Sequence, residues 1–285
     1  MISDLENLCL VIHCIRDGER QEPRTHRELF IQRDDIEELI LSLKMEGYNF
    51  ALPFDAENSD APVCSLTFDD GYFNNSYFLE LAEKHSVPFI LFLTSYNIIH
   101  QVPFIWDIWE ATRKTSWRIS SSNYLKLYES LSSDERNLLK TDSHRPFTLD
   151  ELKAFAAHPM AFLALHGHTH QPTVGKYLKG MDAEIDNNIS FLAKFKNASI
   201  EDFSLPCGLY TGNIKRKLLK RVKRIYTIDG GGFSIGESVI HRISLINPDV
   251  GGPLRDQIRR SFSMKSRLLR KAVNIRYANS LFYRF

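Results

Sequence analysis

The feature that most constrains the fold is the stretch 61–72, in which an apolar run leads directly into two adjacent carboxylates. Residues 61–68 are mostly apolar or β-branched and include a proline near the start, a composition typical of a buried strand. Residues 74–84 carry apolar side chains at helical spacing, so we expect a helix to follow. Asp69 and Asp70 then lie at the carboxyl end of a buried strand. Their mutual repulsion favours a cation or strong donors beside one of them, and the alternative is a turn with two solvated aspartates.

The rest of the chain continues this alternation of apolar strands and amphipathic helices. The predicted strands cover residues 8–13, 61–68, 87–94, 160–165, 225–228 and 239–245. The predicted helices cover residues 34–47, 74–84, 120–140, 148–157, 181–195 and 214–222. This order predicts parallel strands with helices outside them, in one α/β domain over residues 1–253. Residues 97–146 interrupt the alternation and are interpreted as a helical insertion at the strand ends, whose tryptophans either wall a substrate cleft or only pack the insertion against the body.

A second informative stretch carries three histidines within five residues. His166, His168 and His170 directly follow the predicted strand 160–165. A lone histidine at a strand end is usually a neutral, hydrogen-bonded side chain, whereas such a cluster is typical of a metal site. Both the carboxylate pair and the histidines therefore lie at carboxyl ends of strands, where barrel enzymes keep their catalytic groups.

The charge of the chain is distributed unevenly, and one segment differs from the rest in its basic character. The net charge is +1, and the basic residues concentrate between Leu254 and Phe285, where nine basic residues and one acidic residue give a net charge of +8. Nucleic-acid binding would require a wider positively charged surface than this one basic tail provides. Its interleaved apolar residues suit peripheral contact with an anionic membrane, and the alternative is a solvated helix packed on the domain. The amino terminus does not resemble a signal peptide and the cysteines lack paired spacing, so we expect a cytoplasmic protein, with the inner membrane face as an alternative.

The motif Thr67–Tyr72, followed by His166-x-x-x-His170, resembles the polysaccharide deacetylase (NodB-homology) family, carbohydrate esterase family four. This resemblance implies a distorted (β/α) barrel with its site at the carboxyl ends of the strands. It also implies that Asp69 is the general base and that Asp70, His166 and His170 bind one divalent metal, with zinc as the expected ion. His168 should then point away from the metal.

The resemblance further implies hydrolysis of an N-acetyl or other N-acyl group on a sugar, in polysaccharide or glycolipid synthesis. The substrate is expected to be an N-acetylated sugar, free or linked to a nucleotide or a lipid. By resemblance, the backbone N–H of Cys207 stabilises the oxyanion. A general acid must protonate the departing amine, since an amide anion is a very poor leaving group. Tyr72, which ends the first motif, is assigned with Cys207 and His13 to the residues that contact the oxyanion or the substrate.

The sequence departs from the family pattern in three places. The third motif usually begins with an arginine that orients the base, but Ser204 stands there. The fourth motif, an aspartate with a following tryptophan, is not recognisable near Asp229. The fifth motif supplies the acid histidine, for which His241 is the candidate, although strand alternation places His241 and Ile243 on one face, which suits core as well as site. His13, at the end of the first strand, is the alternative acid.

Two other functions must be weighed. The run Gly167–His170 also resembles the Gly-His-Thr-His motif of calcineurin-like metallophosphoesterases, but the Asp-x-His motif near the amino terminus and the Gly-Asn-His motif of those enzymes are missing. A non-catalytic carbohydrate-binding descendant that keeps the metal is the third possibility. Metal analysis together with acetate release would distinguish these functions.

Overall fold

The computed structural model describes residues 6–18, 26–112, 121–173 and 179–263. Their strands are β1 (Leu8–Ile12), β2 (Cys14–Arg16), β3 (Phe30–Gln32), β4 (Asn49–Phe50), β5 (Val63–Phe68), β6 (Phe89–Leu93), β7 (Ala161–Leu165), β8 (Ala198–Ser204), β9 (Arg224–Thr227), β10 (Val239–His241) and β11 (Ile243–Ser244). Their helices are α1 (Arg33–Met45), α2 (Leu79–His85), α3 (Ser95–His100), α4 (Ile105–Thr112), α5 (Ser121–Glu129), α6 (Ser133–Leu139), α7 (Leu149–Ala156), α8 (Met181–Leu192), α9 (Gly212–Leu218), α10 (Pro248–Gly251) and α11 (Leu254–Ser261).

The main sheet is a nearly closed parallel barrel, which confirms the predicted fold class. Hydrogen-bonded neighbours follow the order β10-β9-β8-β7-β6-β5-β1-β11, and every pair in this order is parallel. β10 and β11, at the two ends of the order, are separated in the chain only by Arg242. One segment therefore pairs with β9 before Arg242 and with β1 after it, which brings the two edges of the sheet together.

Alternate residues of the barrel strands face opposite sides, and each side has its own core. In β5, Leu66 and Phe68 pack in the larger core between the strands and the surrounding helices. The smaller core, inside the barrel, contains Cys9, Val63, Ile90, Phe92, Ala164, Tyr226 and Ile240. Thr67 shares the inward face of β5 with Val63, so the next inward position is Asp69. The alternation thus places this carboxylate at the carboxyl end of the barrel interior.

The helix predicted after the carboxylate pair begins differently from expectation. A 3-10 segment, Phe73–Phe78, precedes α2. Within it, the buried Asn74 accepts a hydrogen bond from the backbone N–H of Ile15 (2.9 Å), and the side chain of Asn75 donates to the carbonyl oxygen of His13 (2.8 Å). Asparagine side chains that bond to backbone elsewhere compete with regular helix formation, which explains the tighter first turns. The same bonds attach the end of β1 to the carboxylate motif.

The insertion between β6 and α7 has a small apolar core of its own. Its described helices, α4 to α6, pack around Val102, Ile105, Ile108, Tyr124, Leu131 and Leu139, together with Tyr96 of α3. α7 then returns the chain to the barrel with the predicted capping box, in which Thr148 and Glu151 bond each other's backbone N–H groups. The insertion therefore lies over the carboxyl end of β6, next to the candidate site.

The start of the predicted basic tail packs on the barrel domain. In α11, Leu254 and Ile258 are buried, and Arg255 forms an ion pair with Glu46 at the end of α1. Residues 254–261 thus pack on the barrel, and the predicted domain boundary after residue 253 stays a prediction. Residues 264–285, to which most of the membrane prediction refers, lie outside the described residues. Within the described part of the chain, we find no helix that is both long enough and apolar enough to cross a membrane.

Candidate active site and metal centre

The two carboxylates diverge at a strained turn directly after β5. Asp70 adopts a left-handed backbone conformation (φ 75°), and its carbonyl oxygen accepts hydrogen bonds from both the backbone N–H (3.1 Å) and the hydroxyl (2.8 Å) of Thr94. Gly71 follows with φ +97°, and a Cβ there would lie 2.6 Å from a side-chain carbon of Leu93. Only glycine meets both conditions without strain. The turn therefore fixes Asp69 and Asp70 as two separate, buried groups.

Asp70, His166 and His170 form a compact group of candidate metal ligands. Nε2 of His166 and Nε2 of His170 each lie 3.4 Å from Oδ1 of Asp70, and all candidate ligand atoms lie within 4.8 Å of one another. Nδ1 of His166 hydrogen-bonds with the carbonyl oxygen of Ser204 (3.0 Å), so Nδ1 carries the proton and Nε2 presents its lone pair. Two imidazoles and one carboxylate match the ligand set of catalytic zinc sites. The donor chemistry of these residues therefore fits a divalent cation.

The electrostatics of the group also favour a cation. Burial lowers the pKa of His170 to about 4, so its imidazole is neutral near pH 7, the form that ligates metals. Burial also acts to lower the pKa of His166, but the nearby carboxylates of Asp69 and Asp70 raise it above its usual value. The concentrated negative charge thus attracts a positive charge to this position.

His168 points away from this group, as its spacing in the motif predicts. Its Nδ1 hydrogen-bonds with the hydroxyl of Ser95 (2.8 Å), and its ring packs against Tyr96 with centroids 5.4 Å apart. Burial lowers the pKa of His168. The His-x-x-x-His spacing, and not the central histidine, therefore carries the candidate ligands.

Helix α8 supports the loop that holds the two histidines. The carboxylate of Glu184 accepts hydrogen bonds from the backbone N–H (2.7 Å) and the hydroxyl (2.5 Å) of Thr169. Asn188 accepts from the backbone N–H of His166 (3.0 Å) and donates to the carbonyl oxygen of Leu93 (3.1 Å). These bonds fix the backbone on both sides of Gly167, whose φ of +82° turns the chain at this point.

Asp69 is paired with a buried arginine that no motif in the sequence singles out. The guanidinium of Arg242 donates two hydrogen bonds to the two carboxylate oxygens, at 2.7 and 2.8 Å. It donates a third to Oγ of Ser204 (2.7 Å), which in turn donates to Asp69 (3.0 Å). Burial acts to raise the pKa of Asp69, but Arg242 and His166 outweigh it and hold that pKa well below the usual range. Arg242 thus supplies the interaction expected from the arginine that Ser204 replaces in the third motif.

The structure corrects the placement of His241. In strand register, His241 lies beside Thr227, and its Nδ1 hydrogen-bonds with the threonine hydroxyl (2.9 Å). The carboxylate of Asp229 lies 3.5 Å from the same nitrogen. Because successive side chains alternate, Arg242 takes the inward face and His241 the opposite one. In the sequence analysis, strand alternation placed His241 on the same face as Ile243. The same alternation could have indicated that Arg242 lies on the other face, towards the site.

His13 lies on the site side, in contrast to His241. It follows β1 and lines the cavity that contains Asp69, Asp70 and the candidate ligands. Its Nδ1 is buried and has no hydrogen-bond partner among the described residues. An unpartnered buried ring nitrogen calls for a physical explanation, and a ligand in the adjoining cavity would supply one. Of the two candidate acid histidines, the structure brings only His13 to the carboxylates.

The other two assigned contact residues differ in their placement. Cys207 lines the cavity and is exposed, and its backbone is left-handed (φ 59°). Tyr72 is buried instead: its hydroxyl donates to Asp107 (2.7 Å) and accepts from the indole N–H of Trp106 (2.7 Å). The assignment of Tyr72 to substrate contact is therefore corrected to support of Trp106, whose ring centroid lies 4.6 Å from that of His170.

One cavity of about 400 Å³ joins these groups. It is lined by His13, His26, Leu29, Asp69, Asp70, Ile105, Trp106, Trp109, Tyr124, His166, Thr169, His170, Gln171, Pro172, Leu205, Cys207, Gly208 and Ile228. Four of these residues belong to the insertion, so the insertion forms part of the cavity wall. Trp106 also packs on Phe104 and bonds Tyr72, so it serves both roles weighed from the sequence.

The fold and site define a (β/α)-barrel protein with a candidate metal centre at the carboxyl ends of its strands. The family model described as polysaccharide deacetylase matches residues 56–223, more than half of the chain. The chain belongs to the polysaccharide deacetylase family. No curated protein sequence matches it significantly.

Several solved structures, two of them described as deacetylases, are similar to this chain in fold. A polysaccharide deacetylase from Bacillus cereus is 15% identical with a TM-score of 0.62, over 89% of this chain and 69% of that chain. The Streptococcus pyogenes deacetylase PplD in complex with acetate is 14% identical with a TM-score of 0.62, over 91% and 99%. IcaB from Ammonifex degensii is 14% identical with a TM-score of 0.62, over 89% and 96%. At these identities the likeness concerns the fold alone.

Proposed function

We propose that this protein is a metal-dependent carbohydrate N-deacetylase that acts on an N-acetylated sugar in polysaccharide or glycolipid synthesis. The observation that carries the proposal is the presence, in one cavity, of a three-ligand metal set and a separate carboxylate, Asp69, held ionised by Arg242. Family membership supports the carbohydrate substrate. A phosphoesterase is less well supported, because His168 of the Gly-His-Thr-His run bonds to Ser95 away from the ligands.

Each residue has a distinct role in the proposed hydrolysis. Asp70, His166 and His170 would hold the cation, zinc in our proposal, which when bound polarises the amide carbonyl and acidifies water. Asp69 accepts the proton of the attacking water, and its pairing with Arg242 keeps it ionised and oriented for this step. The backbone N–H of Cys207 would donate to the oxyanion on the carbonyl carbon. The C–N bond then breaks to give acetate and the free amine.

His13 is the general acid in this proposal. It is the cavity histidine outside the ligand set whose Nδ1 has no protein partner in the described part of the chain. Protonation of the departing nitrogen needs such a group within reach of the substrate. His241 is less well supported in this role, because it hydrogen-bonds with Thr227 on the opposite face of the strand.

The proposal predicts metal-dependent acetate release. Purified protein should contain about one divalent ion per chain and release acetate from at least one sugar in a panel of N-acetylated mono- and oligosaccharides. His166→Gln should lose both properties, because it removes one of three ligands, whereas the matched control His168→Gln should keep its metal. Metal content is measured by plasma mass spectrometry. Full metal occupancy without acetate release from any sugar would favour the non-catalytic carbohydrate-binding alternative.

The role of His13 predicts a dependence on the leaving group. His13→Asn should lower kcat for an N-acetyl sugar by about 10²–10⁴-fold, the usual contribution of a general acid. With 4-nitrophenyl acetate the loss should be much smaller, because 4-nitrophenolate leaves without protonation. His241→Asn is the matched control and should change neither rate strongly. Equal losses on both substrates would show that His13 acts before the departure of the leaving group.

A further inference from the structure

The cavity has an apolar wall, and half of the apolar residues that form it come from the insertion. Ile105, Trp106 and Trp109 lie on α4, and Tyr124 lies on α5. The remaining apolar lining residues are Leu29, Pro172, Leu205 and Ile228. An acetyl group has a single methyl to bury, so most of this surface is left over after acetyl binding.

The aromatic part of this wall is held rigidly beside the metal ligands. The indole of Trp106 stacks on Phe104 with ring centroids 5.1 Å apart and planes 19° apart. Its N–H donates to the hydroxyl of Tyr72, which donates to the buried carboxylate of Asp107. Trp106 also packs against His170. A side chain fixed in this way binds a ligand with little loss of conformational entropy.

The polar side chains near this wall are largely engaged with protein partners. The hydroxyl of Thr169 is bound to Glu184, and that of Tyr124 donates to the carbonyl oxygen of Pro103. The ring nitrogens of His26 lie 3.5 and 3.1 Å from the carboxylates of Glu28 and Glu110, although the buried Nε2 makes no hydrogen bond with a described residue. Burial of a sugar hydroxyl here without a hydrogen-bond partner would be unfavourable, because the hydroxyl would lose its bonds to water. Among the described residues, this wall is therefore better suited to an apolar group than to a second sugar ring.

From these observations we propose that the cavity binds an apolar substituent of several carbons carried by the N-acylated sugar, so that the substrate is an amphiphile. The inference rests on the proposed deacetylase function for the position of the reacting amide. The cavity has a volume of about 400 Å³. Pockets that bury most of a small molecule have volumes of about 300–1,000 Å³, so the cavity falls in this range. The substituent has two chemical sources, an acyl chain longer than acetyl or an apolar aglycone.

Two substrate series distinguish these sources. The first keeps a methyl glycoside of glucosamine and varies the N-acyl group from acetyl to butanoyl and hexanoyl. The second keeps N-acetyl and varies the glycoside from methyl to butyl and hexyl. Each buried methylene contributes about 0.8 kcal/mol, which corresponds to about fourfold in affinity. We expect kcat/KM to rise by about this factor per methylene in one series, and that series identifies the source.

A binding measurement separates this inference from the deacetylase proposal. Calorimetry with the zinc-loaded full chain carrying Asp69→Asn should show the same rise in affinity without turnover. Trp109 is a half-buried residue of the wall, and Trp109→Gln should reduce the increase in affinity per methylene. The matched control Ile235→Ser, at an exposed site, should leave that increase unchanged. Binding that rises with chain length without hydrolysis would leave the amphiphile inference standing and overturn the catalytic one. Affinities and rates within twofold across both series would overturn the amphiphile inference.

Discussion

Asp69→Asn is expected to lower kcat/KM for N-deacetylation by about 10²–10⁴-fold, the range for loss of a general base. The amide that replaces the carboxylate cannot accept the proton of water. Metal content should stay near one ion per chain, because Asp69 lies outside the three-ligand group and its nearest carboxylate oxygen is 3.8 Å from Nε2 of His166. Acetate release and plasma mass spectrometry on the same preparation measure both properties.

A matched control for this substitution is available at another buried carboxylate. Asp202 is fully buried and bonded to Arg224 and Tyr226, but it does not line the cavity. Asp202→Asn should reduce stability and leave the kinetics of the folded protein near wild type, so it separates loss of a buried charge from loss of the base. Parallel loss of metal and activity in Asp69→Asn would instead make Asp69 a ligand and reverse the role assignment.

The parts of this fold that the sequence predicts are those with a local periodic signal. The strands around the two motifs read as apolar runs, and the ends of those runs place Asp70, His166 and His170 at one edge of a parallel sheet. The His-x-x-x-His spacing distinguishes the candidate ligands from His168. This was possible because the three histidines lie within five residues, so their spacing can be read directly from the sequence. The insertion was also recognisable, since it interrupts the alternation.

Contacts between distant segments could not be predicted in the same way. Asp69 and Arg242 are 173 residues apart, and nothing in the local pattern links them. The available signal was a charged residue inside an otherwise apolar strand, since a buried arginine requires a partner. Tyr72 was misplaced because the left-handed turn at Asp70 and Gly71 ends the strand alternation, so adjacency in the motif no longer predicts direction.

Loss of the pairing between Asp69 and Arg242 is expected to lower the free energy of unfolding by more than most single substitutions do. Arg242 is fully buried and fills the gap between β10 and β11, where the barrel closes. Arg242→Met keeps much of the side-chain volume but leaves the carboxylate of Asp69 buried, with Ser204 as its one remaining side-chain donor among the described residues. Removing one partner of a buried ion pair costs about 3–5 kcal/mol. We expect a loss of this size in the free energy of unfolding, measured on metal-free protein by urea denaturation.

A double-mutant cycle decides whether the ion pair or the packing accounts for this loss. If the unpaired charge is the cause, Asp69→Asn combined with Arg242→Met should recover a large part of the stability, because the neutral amide needs no cation. Arg145→Met is the matched control, since Arg145 pairs with the partly exposed Glu151 and should contribute only about 0–1 kcal/mol. Equal instability of the single and double variants would assign Arg242 to barrel packing. Recovery in the cycle would show that Arg242 stabilises the folded protein through its ion pair with Asp69, which closes the barrel next to Ser204.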